Sequence, residues 1–250
     1  MTQATTIDEV IAILGDIITD EITANSNLAF FPILYKKVTE RIKEGIAQQE
    51  FEDNPRMERL DVIFANRYLA AYFTYKEGKK PSLSWKNAFE AAKSQKLLIL
   101  QHLLLGINAH INLDLGIAVS ETIGPEGQLD DIHNDFNKIN TILASMVDGV
   151  QEKIGRVSPF FYLLDKVADG KEDLIATFSI NIARDEAWIF ANEYHDATDK
   201  ETVFSTRDES IGKLALKLST TKSRILRWVI RFIRWFESKN IAKVADVLSS

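Results

Sequence analysis

A chain of 250 residues can bury one large hydrophobic core, because single cores stop growing near ~250–300 residues. Hydrophobic residues make up 46% and charged residues 26%, the proportions of an ordinary globular domain, which disfavours a disordered or fibrous chain. A net charge of −6 argues against a protein that coats nucleic acid, and the lack of cysteine excludes disulfides, thiolate metal sites and cysteine nucleophiles.

Apolar residues recur with helical spacing along nearly the whole chain, and alternating β-branched runs are missing, so the fold class expected is all-α. In chain order the expected helices are 7–24, 32–49, 56–77, 84–119, 129–154, 159–168, 171–195, 199–217, 220–238 and 240–248. Thr6-x-x-Glu9 and Thr198-x-x-Glu201 have the form of capping boxes, and Asn54-Pro55 and Ser158-Pro159 each set a capping side chain before a proline. Gly78 ends one helix, Ile123-Gly-Pro-Glu-Gly-Gln128 forms the clearest interhelical loop, and the long 84–119 span is expected to break near Ser94 to Lys96. No Gly-, Pro- or Ser-rich linker and no fixed-period repeat interrupts residues 1–250, which are read as a single all-helical domain. The start, MTQATTIDEV, lacks the basic-then-apolar order of a signal peptide. The most apolar stretch, 97–107, is interrupted by Gln101 and His102 and is short for a membrane span. A cytoplasmic protein is the expectation.

The informative segment is Gln101 to Ala118. Its aliphatic residues point all round the helix, as in a buried central helix, yet it carries His102, Asn108, His110, Asn112 and Asp114. At 100° per residue His102, Gly106, His110 and Asp114 form one i, i+4 row. Burying such groups unpaired costs ~2–7 kcal/mol for each neutral one, so other helices must supply partners. Candidates are Asp61, Asn66 and Arg67; His133, Asp135, Asn137 and Asn140; and Arg184, Asp185, Trp188, Asn192 and His195. All four histidines of the chain fall in these segments.

The segments Glu50-Phe-Glu-Asp-Asn-Pro55, Met57 to Tyr68, Gln101-His-Leu-Leu-Leu-Gly106 through Leu115 and Asp135-Phe-Asn-Lys-Ile-Asn140 resemble an uncharacterised bacterial domain-of-unknown-function family over roughly residues 28–195. That resemblance implies an all-helical domain and brings no established activity. His110-x-x-x-Asp114 alone is also similar to the zinc-dependent phospholipase C proteins, whose helices supply zinc ligands in that form; the rest of their histidine-rich ligand set is not visible here.

Two readings of these residues stand side by side. In the first the chain is a small-molecule enzyme with a polar pocket inside a helical bundle, performing metal-assisted hydrolysis or acid/base chemistry. His110 and Asp114 would then be metal ligands, with His102, for a divalent ion such as Zn or Fe, or would form an acid/base pair. Asp61, Asp135 and Asp185 complete the candidate catalytic set, and Arg67 would orient an anionic group. In the second the same residues form a structural network inside a non-catalytic binding or scaffold protein. Paired Glu-x-x-His motifs, Gly-x-Ser-x-Gly, phosphate loops and dinucleotide-binding turns are all absent.

Residues 219–239 carry six basic side chains against Glu237, a local charge of +5. The wide apolar arc of this helix, with Trp228 and Trp235, is expected to pack into the core while its arginines face the acidic body. On that reading the partner is a small-molecule ligand or substrate, and neither nucleic acid nor a membrane surface is expected.

Overall fold

The computed structural model describes residues 3–167, 179–221 and 223–250. They fold as an all-α protein, with no strand among the described residues. The helices are α1 (Ile7–Thr23), α2 (Phe30–Ala47), α3 (Asn54–Lys76), α4 (Leu83–Ala92), α5 (Ile99–Ala109), α6 (Gly116–Ile123), α7 (Asp130–Val157), α8 (Leu163–Val167), α9 (Ile180–Asp196), α10 (Lys200–Ser219), α11 (Arg224–Phe236) and α12 (Ile241–Ser249). A short 3₁₀ turn, Asn27–Ala29, leads into α2, and a π-helical turn, His110–Leu115, joins α5 to α6. Position 168, positions 171–178 of the expected 171–195 helix, and Lys222 lie outside the described residues.

The expected 84–119 helix does break, between Ala92 and Ile99. Three caps differ in detail from the motifs. Asp53, not Asn54, accepts the Arg56 N–H at 2.9 Å to start α3. Asp199, one residue past Thr198, accepts the Thr202 N–H at 3.1 Å to start α10. Ser158 ends α7 rather than starting a helix, its N–H bonded to the Ile154 carbonyl at 2.7 Å, and α8 begins only at Leu163.

Long-range caps fix how the pieces sit. Asp208 on α10 accepts the Leu83 and Ser84 N–H groups that open α4, at 2.5 and 2.9 Å. Glu237, just past α11, accepts the Ile99 N–H that opens α5, at 3.1 Å. Asp135 on α7 accepts the Glu52 and Asp53 N–H groups before α3, at 2.7 and 3.1 Å. In each case a buried carboxylate far along the chain satisfies amides that a helix start leaves without partners.

The stretch Ile99–Ile123 is the axis of the molecule: α2, α3, α4, α9 and α10 all pack against it. By length and composition it could cross a membrane, contrary to the expectation drawn from 97–107, but 94% of its most apolar window is buried inside the protein. Two glycines let neighbours come close. A Cβ on Gly106 would collide with the Phe31 ring, and one on Gly116 would lie 2.7 Å from Phe190 Cδ1 and 2.8 Å from the Ala187 carbonyl.

The C-terminal basic helix departs from expectation. Its core face is Leu226, Val229, Ile230 and Ile233, packed on Leu98 and Leu164, while Trp228 and Trp235 are 68% and 79% exposed. The tryptophans are therefore not core residues.

The contact at Gly116 predicts that Gly116→Ala forces α9 away from the central helix, since a backbone carbonyl cannot swing aside. A loss of ~1–3 kcal/mol in urea unfolding is expected. Gly15→Ala in α1, where a Cβ meets only Lys36 Cε at 3.9 Å, should instead stabilise by roughly 0.5–1 kcal/mol.

Candidate functional site

The site is built on the π-helical turn. A π turn inserts one extra residue into a helix, and it rotates everything after it by about 100° relative to an unbroken α-helix. The carbonyl of Asn112, within the turn, accepts a hydrogen bond from Arg207 Nε of α10 at 2.9 Å. Along the polar stripe, Gln101 and Asn108 donate to the carbonyls of Leu218 and Ile211 on α10, at 2.9 and 3.2 Å, and Asn112 donates to Asn108 Oδ1. These amides tie the central helix to α10.

Asp114, 2% exposed, has three partners. Its Oδ2 accepts from Trp85 Nε1 at 2.7 Å and lies 3.4 Å from His110 Nδ1, while Oδ1 accepts from Arg67 Nε at 3.2 Å. Because the carboxylate only accepts, His110 Nδ1 carries the proton toward it and Nε2 keeps a free lone pair. The His110 ring is clamped by Phe64, stacked 3.5 Å away, and by Tyr35, edge-on at 4.4 Å. Burial lowers the His110 pKa from its usual value, more than Asp114 restores it, so the ring is neutral.

His110 lines a cavity of about 340 Å³. The cavity runs between α2, α3, the central helix and α7. Along α7 its lining extends from Ile139 to Ile154, about 22 Å at 1.5 Å per residue. The walls are otherwise apolar, from Phe31, Leu104 and Leu115 to Leu143, and half-buried Leu34, Val38, Ile107, Ile111, Leu143 and Met146 form its rim. Polar groups gather on it at Tyr35, Asp61, His110 and Arg184, with exposed Gln151 at the edge.

Three buried polar atoms on this lining lack partners: Tyr35 Oη, Asp61 Oδ2 and His110 Nε2; Thr39 Oγ1 is also without one. Tyr35 has Thr39 and Asp61 as polar neighbours, and burial raises its pKa well above normal. Burial, with Glu58 adding repulsion, pushes the Asp61 carboxyl up to about 7. Arg184, lowered to about 9 by burial and partly restored by Asp185, donates to the Phe136 carbonyl at 2.7 Å and to Asn140 Oδ1, and lies 4.2 Å from the Phe136 ring centre.

Of the expected site residues, the structure brings Asp61 and His110 onto one cavity, with Asp114 behind His110. The others do different work. Arg67 is engaged by Asp114 and by Glu121 at 3.7 Å, so it does not wait for an anion. Asp135 caps the turn before α3 and pairs with Arg56 at 3.5 Å. Asp185 is exposed on α9. His102 is buried beside Phe30, with neither ring nitrogen bonded, and burial together with Arg234 lowers it to about 4; it shares no ligand site with His110. Among the described residues no three His, Asp or Glu side chains converge as metal ligands, so the structure does not show the expected His102, His110 and Asp114 metal site. Sequence reasoning missed Tyr35, Thr39 and the place of Arg184 on the lining, because a tyrosine and a threonine in an amphipathic helix give no pattern of their own.

The raised pKa of Asp61 has a signed consequence for stability. Between its ordinary value near ~4 and about 7, the folded state holds a proton that the unfolded state has lost, so stability falls as pH rises through that window. Asp61→Asn should remove this fall, wild type losing about 1.4 kcal/mol per pH unit relative to the variant. Urea melts of both proteins from pH 4 to pH 8 measure it; parallel curves would contradict the assignment.

Residues 7–221 match DUF5995, a family of unknown function, a span wider than the 28–195 suggested by the motifs. No curated protein and no solved structure matches the chain. The chain thus belongs to the DUF5995 family.

Proposed function

We propose that the cavity binds a chain-like, largely apolar small molecule and that His110 and Asp61 carry out acid/base chemistry on its polar group. What carries this reading is the set of unpartnered Tyr35 Oη, Asp61 Oδ2 and His110 Nε2 on an otherwise apolar lining. Leaving a buried donor or acceptor without a partner costs ~1–3 kcal/mol, and a polar group on the ligand would recover that cost. The volume is at the small end of ligand sites, which run from ~300 to ~1,000 Å³. A slot some 22 Å long by helix rise within that volume suits one extended chain better than a fused ring system.

The chemistry follows from the environments. His110 Nε2 is a base oriented by Asp114 from behind, in the way a carboxylate fixes a catalytic imidazole. Asp61, with a pKa near neutrality, gives up or takes a proton at working pH. Arg184 is the cation on the lining and would favour an acidic head group over a neutral one. Binding without turnover is the second reading; it needs the same cavity and leaves His110 and Asp61 as hydrogen-bonding groups only.

Titration with a fluorescent polyunsaturated fatty acid, followed by displacement with saturated acids and alcohols of graded length, tests the binding. One site per chain is expected, with acids preferred and preference peaking at one chain length. Leu143→Trp on the rim should abolish binding with little change in melting temperature. Failure of every chain-like probe to bind wild type would overturn the proposal. Incubation of the bound probe in deuterated water separates the two readings: incorporation of deuterium into carbon, lost in His110→Gln and Asp61→Asn, marks acid/base turnover, and its absence marks a carrier.

A further inference from the structure

Helix α11 is two-faced in an unusual way. Leu226, Val229, Ile230 and Ile233 are buried, and at 100° per residue the opposite side carries both charge and large aromatic rings. Arg227, Arg231 and Arg224 lie on one flank, Trp235 and Trp228 at the crest, and Phe232 and Ile225 on the other flank. Trp228 and Trp235 are 68% and 79% exposed, Ile225 and Phe236 64% and 50%. The rings form a continuous ridge: Trp228 stacks on Phe232 at 6.0 Å, Phe232 meets Phe236 at 5.1 Å, and Phe160 from the turn before α8 abuts both. Arg234 is held by the Gln95 carbonyl and Glu237, but among the described residues Arg224, Arg227 and Arg231 enter no ion pair. The rest of the chain is acidic, so this cationic patch is local.

We infer that this face docks the protein on an anionic lipid surface. Two features on one helix select that partner. Indole and phenyl rings flanked by arginines match the boundary layer of a membrane, where rings enter the acyl edge and guanidinium groups meet phosphates. Exposed aromatic area of this size on a soluble chain marks an interaction surface rather than ordinary surface variation. A third observation fits: the buried face of α11 packs on Leu164, which with Phe161 lines one end of the apolar cavity. The docked helix would set that end of the cavity beside the bilayer, from which a chain-like ligand would come. The docking itself stands on the surface of α11 and not on what the cavity holds.

Flotation of the full chain with phosphatidylcholine vesicles, with and without about one-third phosphatidylglycerol, tests the inference. Binding is expected only to the anionic vesicles, and it should weaken about tenfold or more between ~0.05 M and ~0.5 M salt. Trp228→Ser with Trp235→Ser should abolish it, and Arg224→Gln with Arg227→Gln and Arg231→Gln should weaken it about tenfold or more; all five positions are exposed, so each variant should melt like wild type. The Leu143→Trp variant should float as wild type does, which separates loss of docking from loss of cavity binding. Absence of flotation at low salt, flotation unchanged by both sets of substitutions, or self-association through α11 in place of vesicle binding would each overturn the inference.

Discussion

The carboxylate of Asp114 is the constraint around which the central helices are arranged. A charge buried this deeply costs several kcal/mol unless it is paired and hydrogen-bonded, and here Arg67 from α3, Trp85 from α4 and His110 from its own turn all meet it. Three helices are thereby held in one register. Asp114 meets α3 and α4 through Arg67 and Trp85, while His110 lines the cavity. The same carboxylate that joins the helices also fixes the tautomer of the one imidazole that reaches the lining.

Satisfaction at Asp114 contrasts with the lack of it a few ångströms away. Asp61, Tyr35 and the far side of His110 are buried without partners, whereas buried Asp135, Asp208 and Glu237 accept backbone N–H groups and buried Glu21 accepts from Tyr72 and Lys76. Buried polar groups are hydrogen-bonded in the great majority of cases; among the described exceptions Tyr35 Oη, Asp61 Oδ2 and His110 Nε2 belong to residues of one cavity, while others, on Arg41, His102 and Ser158, lie elsewhere. The raised Asp61 pKa has the same origin: with no donor to stabilise the anion, burial favours the protonated form.

Long-range carboxylate caps distribute the fold across the chain. Glu237 at the end of α11 opens α5, and Asp208 on α10 opens α4, so the C-terminal third secures the start of the central elements. Helix α11 therefore contributes to the core through its inner face and its trailing glutamate, and its aromatic and cationic side is left for solvent or a partner.

The all-α class, most helix positions, the break before Ile99 and the burial of the central helix were readable from the sequence, because 3.6-residue periodicity and Gly and Pro punctuation are local signals. His110 and Asp61 stood out for a related reason: a polar side chain in an apolar helix has to be accounted for. Tertiary structure alone decided the rest. It turned Arg67 and Asp135 into internal partners, left Asp185 at the surface and His102 without a bond, and put Tyr35 and Arg184 on the cavity lining. Those outcomes depend on which helix lies opposite, which helical periodicity does not specify. The exposure of Trp228 and Trp235 follows the same logic: a wheel shows a wide apolar arc, but only the neighbours of α11 determine which part of that arc is covered.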